Sequence, residues 1–183
     1  DYTVQLYQQE HEGKLPPTNS KDAEWVQWRA DKITEYVKDL FKAIKAHNPQ
    51  AIVSVSPNPQ EFSLEYYLLD WQRWERIGLI EELVLQVYRN NLADYLREIT
   101  QASVIAAQKH IPVAIGILAG LKGRPVSFNL IDEQIKAARA NQLAGVSFFF
   151  YESLWHLSDT SPEIRKANFA EVFRHCRKYT TDF

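Results

Sequence analysis

The sequence of 183 residues contains no methionine and a single cysteine, Cys176. One cysteine excludes an internal disulfide and a zinc site built from several thiolates, and we expect Cys176 to pack on the last helix. Because methionine is absent, Asp1 is not an initiator position, and we expect the chain to be a processed product or a piece of a longer protein. The lack of a signal-peptide pattern at its start therefore leaves localisation open.

The chain also lacks a strong charge excess and a long apolar run. Its formal net charge is −2, with 21 basic and 23 acidic residues intermixed. This balance does not favour nucleic acid or an anionic membrane as the main partner, and no run approaches the roughly 20 apolar residues of a membrane span. No histidine pair has metal-ligand spacing, so we expect neither a metal nor another cofactor.

Four short apolar runs are present instead: AIVSVS at 51–56, ELVLQVY at 82–88, PVAIGIL at 112–118 and GVSFFFY at 145–151. Each run is nearly continuous, which is typical of parallel strands buried on both faces. About thirty residues separate successive runs, enough for one helical crossover each time.

The segments between these runs predict helices. The segment 21–48 has apolar residues near a 3.6-residue period, with Asn19 or Ser20 as its expected cap. Further helices are predicted over 65–78, 92–110, 129–145 and 161–179. Gly78 is expected to end the first of these as a C′ glycine.

The order of a helix followed by four strand–helix units fits a doubly wound sheet or a (β/α)₈ barrel. No G-x-G-x-x-G follows a strand, which disfavours a dinucleotide-binding sheet. A closed barrel needs about 250 residues. We therefore predict an α/β fold that is the C-terminal half of a (β/α)₈ TIM-type barrel, with four parallel strands (five to eight) and helices outside. This partial domain is predicted to span 1–183 and to be preceded by a helical segment at 1–48.

Chemistry in such a barrel belongs at the carboxyl ends of the strands. The candidate residues there are Asn58 after the first run, Gln86, Tyr88 and Arg89 at the second, and Tyr151, Glu152 and Trp155 at the fourth. Gln86 and Tyr88 alternate with apolar residues, so they should share one face. Aromatic faces beside amides and hydroxyls suit sugar rings. Glu152 is the carboxylate placed directly at a strand end and is the candidate catalytic group.

Each candidate has a structural alternative. Gln86 and Tyr88 could form a satisfied core network, Arg89 could be a surface cation, and Glu152 could point outward. Gly116 could admit a ligand or relieve crowding within the barrel. The glycines and cations of the 120–125 segment suggest either a phosphate site or a mobile surface loop.

The stretch DWQRWERIGLIEELVLQVYR at 70–89 resembles a hallmark of glycosyl-hydrolase-like family 10, a family of bacterial barrel proteins. The matching positions are Asp70, Trp71, Trp74, Gly78, Leu79, Ile80, Gln86 and Tyr88. Stretches at 25–29, 53–57, 114–117 and 145–154 agree as well, so that the resemblance covers roughly residues 1–155. The chain departs from the pattern at Glu81–Glu82, where the family has Asp, and at Leu85, where it has Pro.

The resemblance implies hydrolysis of glycosidic bonds in a bacterial, cell-envelope polysaccharide, and hence an extracytoplasmic or envelope location. Such hydrolysis normally needs two carboxyl groups across the scissile bond. The family's acidic motif at the end of the fourth barrel strand would precede Asp1, so this piece is expected to be catalytically incomplete and to act as an enzyme only within the full domain. Arg29, at the family's Trp-Arg pair, is expected to bind substrate or to form a structural ion pair.

Two other functions fit the sequence. One is a non-catalytic carbohydrate-binding or envelope-scaffold barrel, and the other is a phosphate-binding metabolic barrel that uses the 120–125 loop. In every case half a barrel exposes strand edges and an apolar interior. We therefore expect the chain to associate with its own N-terminal half or with a second copy.

Overall fold

The structure is a computed structural model that describes residues 1–174, so Cys176 lies outside the described residues. The helices are α1 (Tyr2–Glu10), α2 (Ala23–His47), α3 (Gln60–Tyr67), α4 (Trp71–Arg76), α5 (Leu92–Ile99), α6 (Ala102–Ala107), α7 (Phe128–Ala140), α8 (Tyr151–Trp155) and α9 (Pro162–Phe173). The strands are β1 (Ser54–Val55), β2 (Glu82–Gln86), β3 (Val113–Leu118), β4 (Gly120–Leu121), β5 (Arg124–Pro125) and β6 (Gly145–Phe149). The chain divides into two compact units, one of residues 1–53 and 57–81 and one of residues 54–56 and 82 onward.

The second unit contains a four-stranded sheet in the order β1-β2-β3-β6, with every neighbouring pair parallel. The four apolar runs therefore form the four predicted strands, and the α/β fold consistent with half of a TIM barrel is confirmed. In this register Gln86 lies opposite Gly116, and Gly116 lies opposite Ser147.

The two faces of this sheet differ in burial. One face carries the fully buried side chains Leu83, Leu85, Ile115 and Ile117. The core also contains buried side chains of α5 and α7, which are Tyr95, Ile99, Ile131 and Ile135. Each such aliphatic side chain contributes about 1.5–3 kcal/mol on burial. On the other face Gln86 is half-buried and Ser147 is exposed. Phe149 on that face is 45% exposed. β3 is buried along most of its length on both faces, whereas β2 and β6 are more exposed on this second side, which we call the open face.

The 120–125 segment, for which a phosphate site or a mobile surface loop was expected, is an antiparallel hairpin of β4 and β5. Gly123 in its turn has φ +76°, a conformation that glycine adopts without strain. Arg165 of α9 is fully buried beside this hairpin. It donates to the carbonyls of Val126 at 3.1 Å and Ala119 at 3.2 Å, and to Asp159 at 3.0 Å. The guanidinium thus ties α9 to the segment that follows β3.

The first unit is built on α2, which begins one residue after its cap, Asp22. The Asp22 carboxylate accepts from the amides of Glu24 and Trp25, so the predicted caps Asn19 and Ser20 are wrong. The helix predicted over 65–78 is interrupted because Leu68 adopts a left-handed conformation with φ +61°. Gly78 does end α4 as predicted: its φ is +72°, and the Leu79 amide donates to the Trp74 carbonyl at 2.8 Å.

Among residues 1–174, no helix has the length and apolar character needed to cross a bilayer.

Candidate functional site

Gln86, Gly116 and Ser147 form a row across three neighbouring strands on the open face. Direct register pairs Gln86 with Gly116 and Gly116 with Ser147. The Gln86 amide is oriented by a hydrogen bond from Nε2 to the Ser56 carbonyl at 2.5 Å. Its Oε1 has no donor among the described residues. The row therefore offers an oriented amide oxygen and an exposed hydroxyl near the carboxyl ends of parallel strands, where ligands bind in such folds.

Tyr88 extends the row toward the carboxyl end of β2. A Cβ placed on Gly116 would lie 3.6 Å from Tyr88 Cε1, so the tyrosine ring covers this glycine. The ring also stacks on Phe149, with ring centres 5.4 Å apart and an interplanar angle of 25°. Burial raises the pKa of the Tyr88 phenol, and its hydroxyl forms no hydrogen bond with residues 1–174. The Tyr88 hydroxyl is therefore a neutral hydrogen-bond donor at the edge of the stacked rings of Tyr88 and Phe149.

Arg89 lies in the same unit, but its guanidinium is already bound. It donates to Glu98 at 2.7 Å and to the Tyr88 carbonyl at 3.2 Å. The Arg89 carbonyl accepts from Gln134, a buried residue of α7, at 3.0 Å. These contacts attach the end of β2 to α5 and α7, so Arg89 holds the segment that carries Tyr88. Its predicted role in substrate binding stays a prediction.

The residues predicted after the fourth strand lie on α8. Ser153 fixes the start of this short helix by exchanging hydrogen bonds with the Phe150 amide and carbonyl at 3.2 and 2.8 Å. Tyr151 is 72% exposed, and its ring meets the edge of Trp155 at 6.5 Å. Glu152 is exposed, and within the described residues its carboxylate has no partner that would orient it. The structure therefore places this candidate on the surface of α8.

Asn58 and Arg29 belong to the first unit. The Asn58 carbonyl accepts from Ser63 Oγ at 2.7 Å and from Trp71 Nε1 at 3.0 Å, which fixes its backbone. Arg29 donates to the carbonyls of Trp25 at 3.1 Å and Ser20 at 2.5 Å. Its cationic group has no carboxylate partner among the described residues, so the structural ion pair considered for it is not formed there.

Ser147 and Phe149 belong to the row and its aromatic pair but were not among the predicted site residues. The run GVSFFFY is almost wholly apolar, and the prediction did not separate its two faces. The alternation of Gly145, Ser147 and Phe149 was the available signal, because these residues share one face of the strand. No group of three His, Cys, Asp or Glu side chains in residues 1–174 could hold a metal ion.

Comparison with known families assigns the chain to a family. The family model described as Glycosyl hydrolase-like 10 matches residues 1–147. The chain belongs to this family. No curated protein matches the chain. The Glycosyl hydrolase-like 10 match includes the Gln86 and Tyr88 motif and ends at Ser147. Glu152 and the rest of α8 therefore lie outside the matched region.

Glu81 organises the chain entering β1. Its carboxylate accepts from Lys45 at 2.7 Å and from the Val53 amide at 2.9 Å. Lys45 also donates to the Ala51 carbonyl at 2.5 Å. The hydrogen bond from Lys45 and, to a smaller extent, the one from Val53 lower the pKa of Glu81. The residue is therefore a clamp within its unit.

Replacing Glu81 by Gln is expected to lower the free energy of unfolding at pH 7 by about 1 kcal/mol, because the charge-assisted bond to Lys45 is lost. Because the pKa of Glu81 is lowered in the folded state, its carboxylate stabilises the fold at pH values above the unfolded-state pKa of about 4.3. This stabilisation is lost as the pH falls through the folded-state pKa. The difference between wild type and Glu81→Gln should therefore shrink between about pH 5 and pH 3. Urea unfolding at each pH measures it, with Glu35→Gln as the exposed control. A difference that is constant with pH would contradict the clamp.

Proposed function

We propose that this chain is the glycan-binding part of a glycoside hydrolase-like domain that acts on bacterial cell-envelope polysaccharide, and that it does not cleave glycan by itself. The observation that carries the proposal is the row of Gln86, Gly116 and Ser147 beside the stacked rings of Tyr88 and Phe149. The proposal is also supported by membership of the Glycosyl hydrolase-like 10 family.

The chemistry of the row suits a neutral sugar. A sugar ring presents C–H groups on one face and hydroxyls around its edge, and aromatic side chains with nearby polar groups bind such surfaces. The half-exposed Phe149 ring offers the apolar contact. The Gln86 amide oxygen, the Ser147 hydroxyl and the Tyr88 hydroxyl can exchange hydrogen bonds with sugar hydroxyls. The absence of a side chain on Gly116 lets the Tyr88 ring lie over it, which positions the aromatic pair beside Gln86 and Ser147.

Cleavage would need two carboxyl groups, about 5 Å apart for retention of configuration and about 6.5–9.5 Å apart for inversion. Within the described residues, the row carries no carboxylate at its carboxyl end. Glu152 remains the proposed acid of this chain, and we propose that its partner comes from the N-terminal half of the barrel or from a second copy. The exposed, unoriented position of Glu152 favours a second candidate function, a glycan-binding scaffold without hydrolysis.

Sedimentation with insoluble bacterial cell-wall polysaccharide, together with an assay for released reducing ends, tests the proposal. The 183-residue chain is expected to sediment with the polysaccharide and to release no reducing ends. A longer protein that includes the proposed N-terminal half of the barrel should release them, and Glu152→Gln in that protein should abolish release while binding is kept. Absence of binding by both proteins would overturn the proposal. Binding without cleavage by the extended protein would select the scaffold.

A further inference from the structure

The first unit contains a groove between α1, α2 and Leu68, and none of its lining residues belongs to the row. Its volume is about 250 Å³, and its main lining residues are Tyr2, Leu6, Trp28, Arg29, Ile33 and Leu68. This volume lies just below the roughly 300 Å³ at which pockets for drug-sized ligands begin. The groove therefore has room for one sugar ring rather than for a long ligand.

The walls of the groove are held in place by an aromatic cluster. Tyr7 is 4% exposed, and its ring meets the edges of Trp25 and Trp28 at 5.1 Å. Trp28 Nε1 donates to Glu10 at 2.8 Å, which fixes α1 against α2. Tyr2 at the rim is 76% exposed, so it is available to a ligand. The groove is thus a formed, partly aromatic surface.

The two cations of the groove differ in how their charge is balanced. Lys32 donates to both oxygens of Glu10, at 2.5 and 2.7 Å, and is therefore neutralised. Arg29 is held by two backbone carbonyls and lies 4.7 Å from the centre of the Trp25 ring. No carboxylate of residues 1–174 pairs with it, and desolvation by burial lowers its pKa. Arg29 thus lines a largely apolar groove and carries a positive charge that no carboxylate of residues 1–174 neutralises.

We propose that this groove binds a sugar residue that carries a carboxylate, with the anionic group on the Arg29 guanidinium and the ring against Tyr2 and Leu68. Carboxylate is the complementary charge, and it can bind the Nη1 side of the guanidinium, because Nε and Nη2 already donate to carbonyls. The ring supplies the apolar C–H surface that the groove walls require. The inference rests on the proposed glycan-binding function, since it adds an acidic residue to the polysaccharide that the chain recognises.

Binding of D-glucuronic acid and of D-glucose to the 183-residue chain, measured by calorimetry, compares two sugars that differ in one carboxylate. Wild type is expected to bind glucuronic acid at least tenfold more tightly than glucose, and added NaCl should weaken this preference. Arg29→Gln should remove the preference, whereas Arg29→Lys should keep part of it. Lys42→Gln, a change of charge at an exposed position of α2, should leave it unchanged.

Because Arg29 also bonds to backbone, thermal unfolding of each variant checks that the fold is kept. Tyr2→Ala provides a second test, since this exposed side chain can be removed without loss of the core. It should weaken glucuronic acid binding severalfold. Equal affinity of wild type for both sugars, or an unchanged preference in Arg29→Gln, would overturn the inference. Glucuronic acid binding that persists while neutral wall polysaccharide fails to bind would refute the proposed function and leave this inference standing. Binding of neutral polysaccharide without a glucuronic acid preference would refute this inference and leave the proposed function standing.

Discussion

Replacing Arg165 by alanine is expected to lower the free energy of unfolding by about 3–5 kcal/mol, the cost of removing one partner from a buried charge network. Arg165 is fully buried, and its guanidinium satisfies the carbonyls of Ala119 and Val126 and meets Asp159 at 3.0 Å. Alanine leaves both carbonyls buried without a donor and also creates a cavity. Since domains are stable by only about 5–15 kcal/mol, the variant should unfold at a much lower urea concentration.

The matched control is Arg97→Ala. The Arg97 side chain is 68% exposed and pairs with Asp94 within one helix, so the change should stay within about 0.5 kcal/mol. Arg165→Lys is expected to fall between wild type and Arg165→Ala, because one ammonium group can reach fewer of the three acceptors. A loss below about 1 kcal/mol in Arg165→Ala would contradict the anchoring role. The measurement in each case is the urea midpoint with its slope.

The second large effect concerns binding. Tyr88→Ala is expected to weaken binding to bacterial cell-wall polysaccharide by about tenfold to a hundredfold, since an aromatic contact and one hydrogen bond together contribute about 1–3 kcal/mol. Tyr88→Phe retains the stacking on Phe149 and loses the hydroxyl, so it should weaken binding by a few-fold only. Sedimentation over a range of polysaccharide concentrations gives the affinities.

Tyr36→Ala is the control for this series. Tyr36 is an aromatic residue of α2 that is 66% exposed and has no part in the row, and its variant should bind like wild type. Thermal unfolding of Tyr88→Ala checks that the sheet is kept. Wild-type affinity in a folded Tyr88→Ala variant would show that the stacked pair does not contact the glycan.

Much of the fold could be predicted because its signals are local. Each apolar run formed a parallel strand, and Gly78 ended α4 since its left-handed backbone favours glycine. The interruption between α3 and α4 was missed because Leu68 adopts the left-handed region. This backbone conformation is rare for leucine, so the sequence gives no signal for it. The hairpin at 120–125 was missed because glycine and proline are typical of both irregular loops and tight turns.

The candidate site could be predicted only in part. The alternation of Gln86 and Tyr88 placed both on one face, which needs no knowledge of the partners. The contacts of Arg89 and Arg29 were not predicted, although their partners lie within nine residues, because they depend on side-chain geometry. Ser147 was missed because the two faces of its apolar run were not separated, and its position beside Gly116 depends on the sheet register.

Nuclear magnetic resonance of the ¹⁵N-labelled chain tests the central claim most directly. The chain would be titrated with soluble oligosaccharides released from bacterial cell-wall polysaccharide. The account predicts saturable shifts of the amide signals of Gln86, Gly116, Ser147 and Phe149, the residues of the row and its aromatic pair. Saturable binding that leaves these four signals unmoved would contradict a glycan site on the open face.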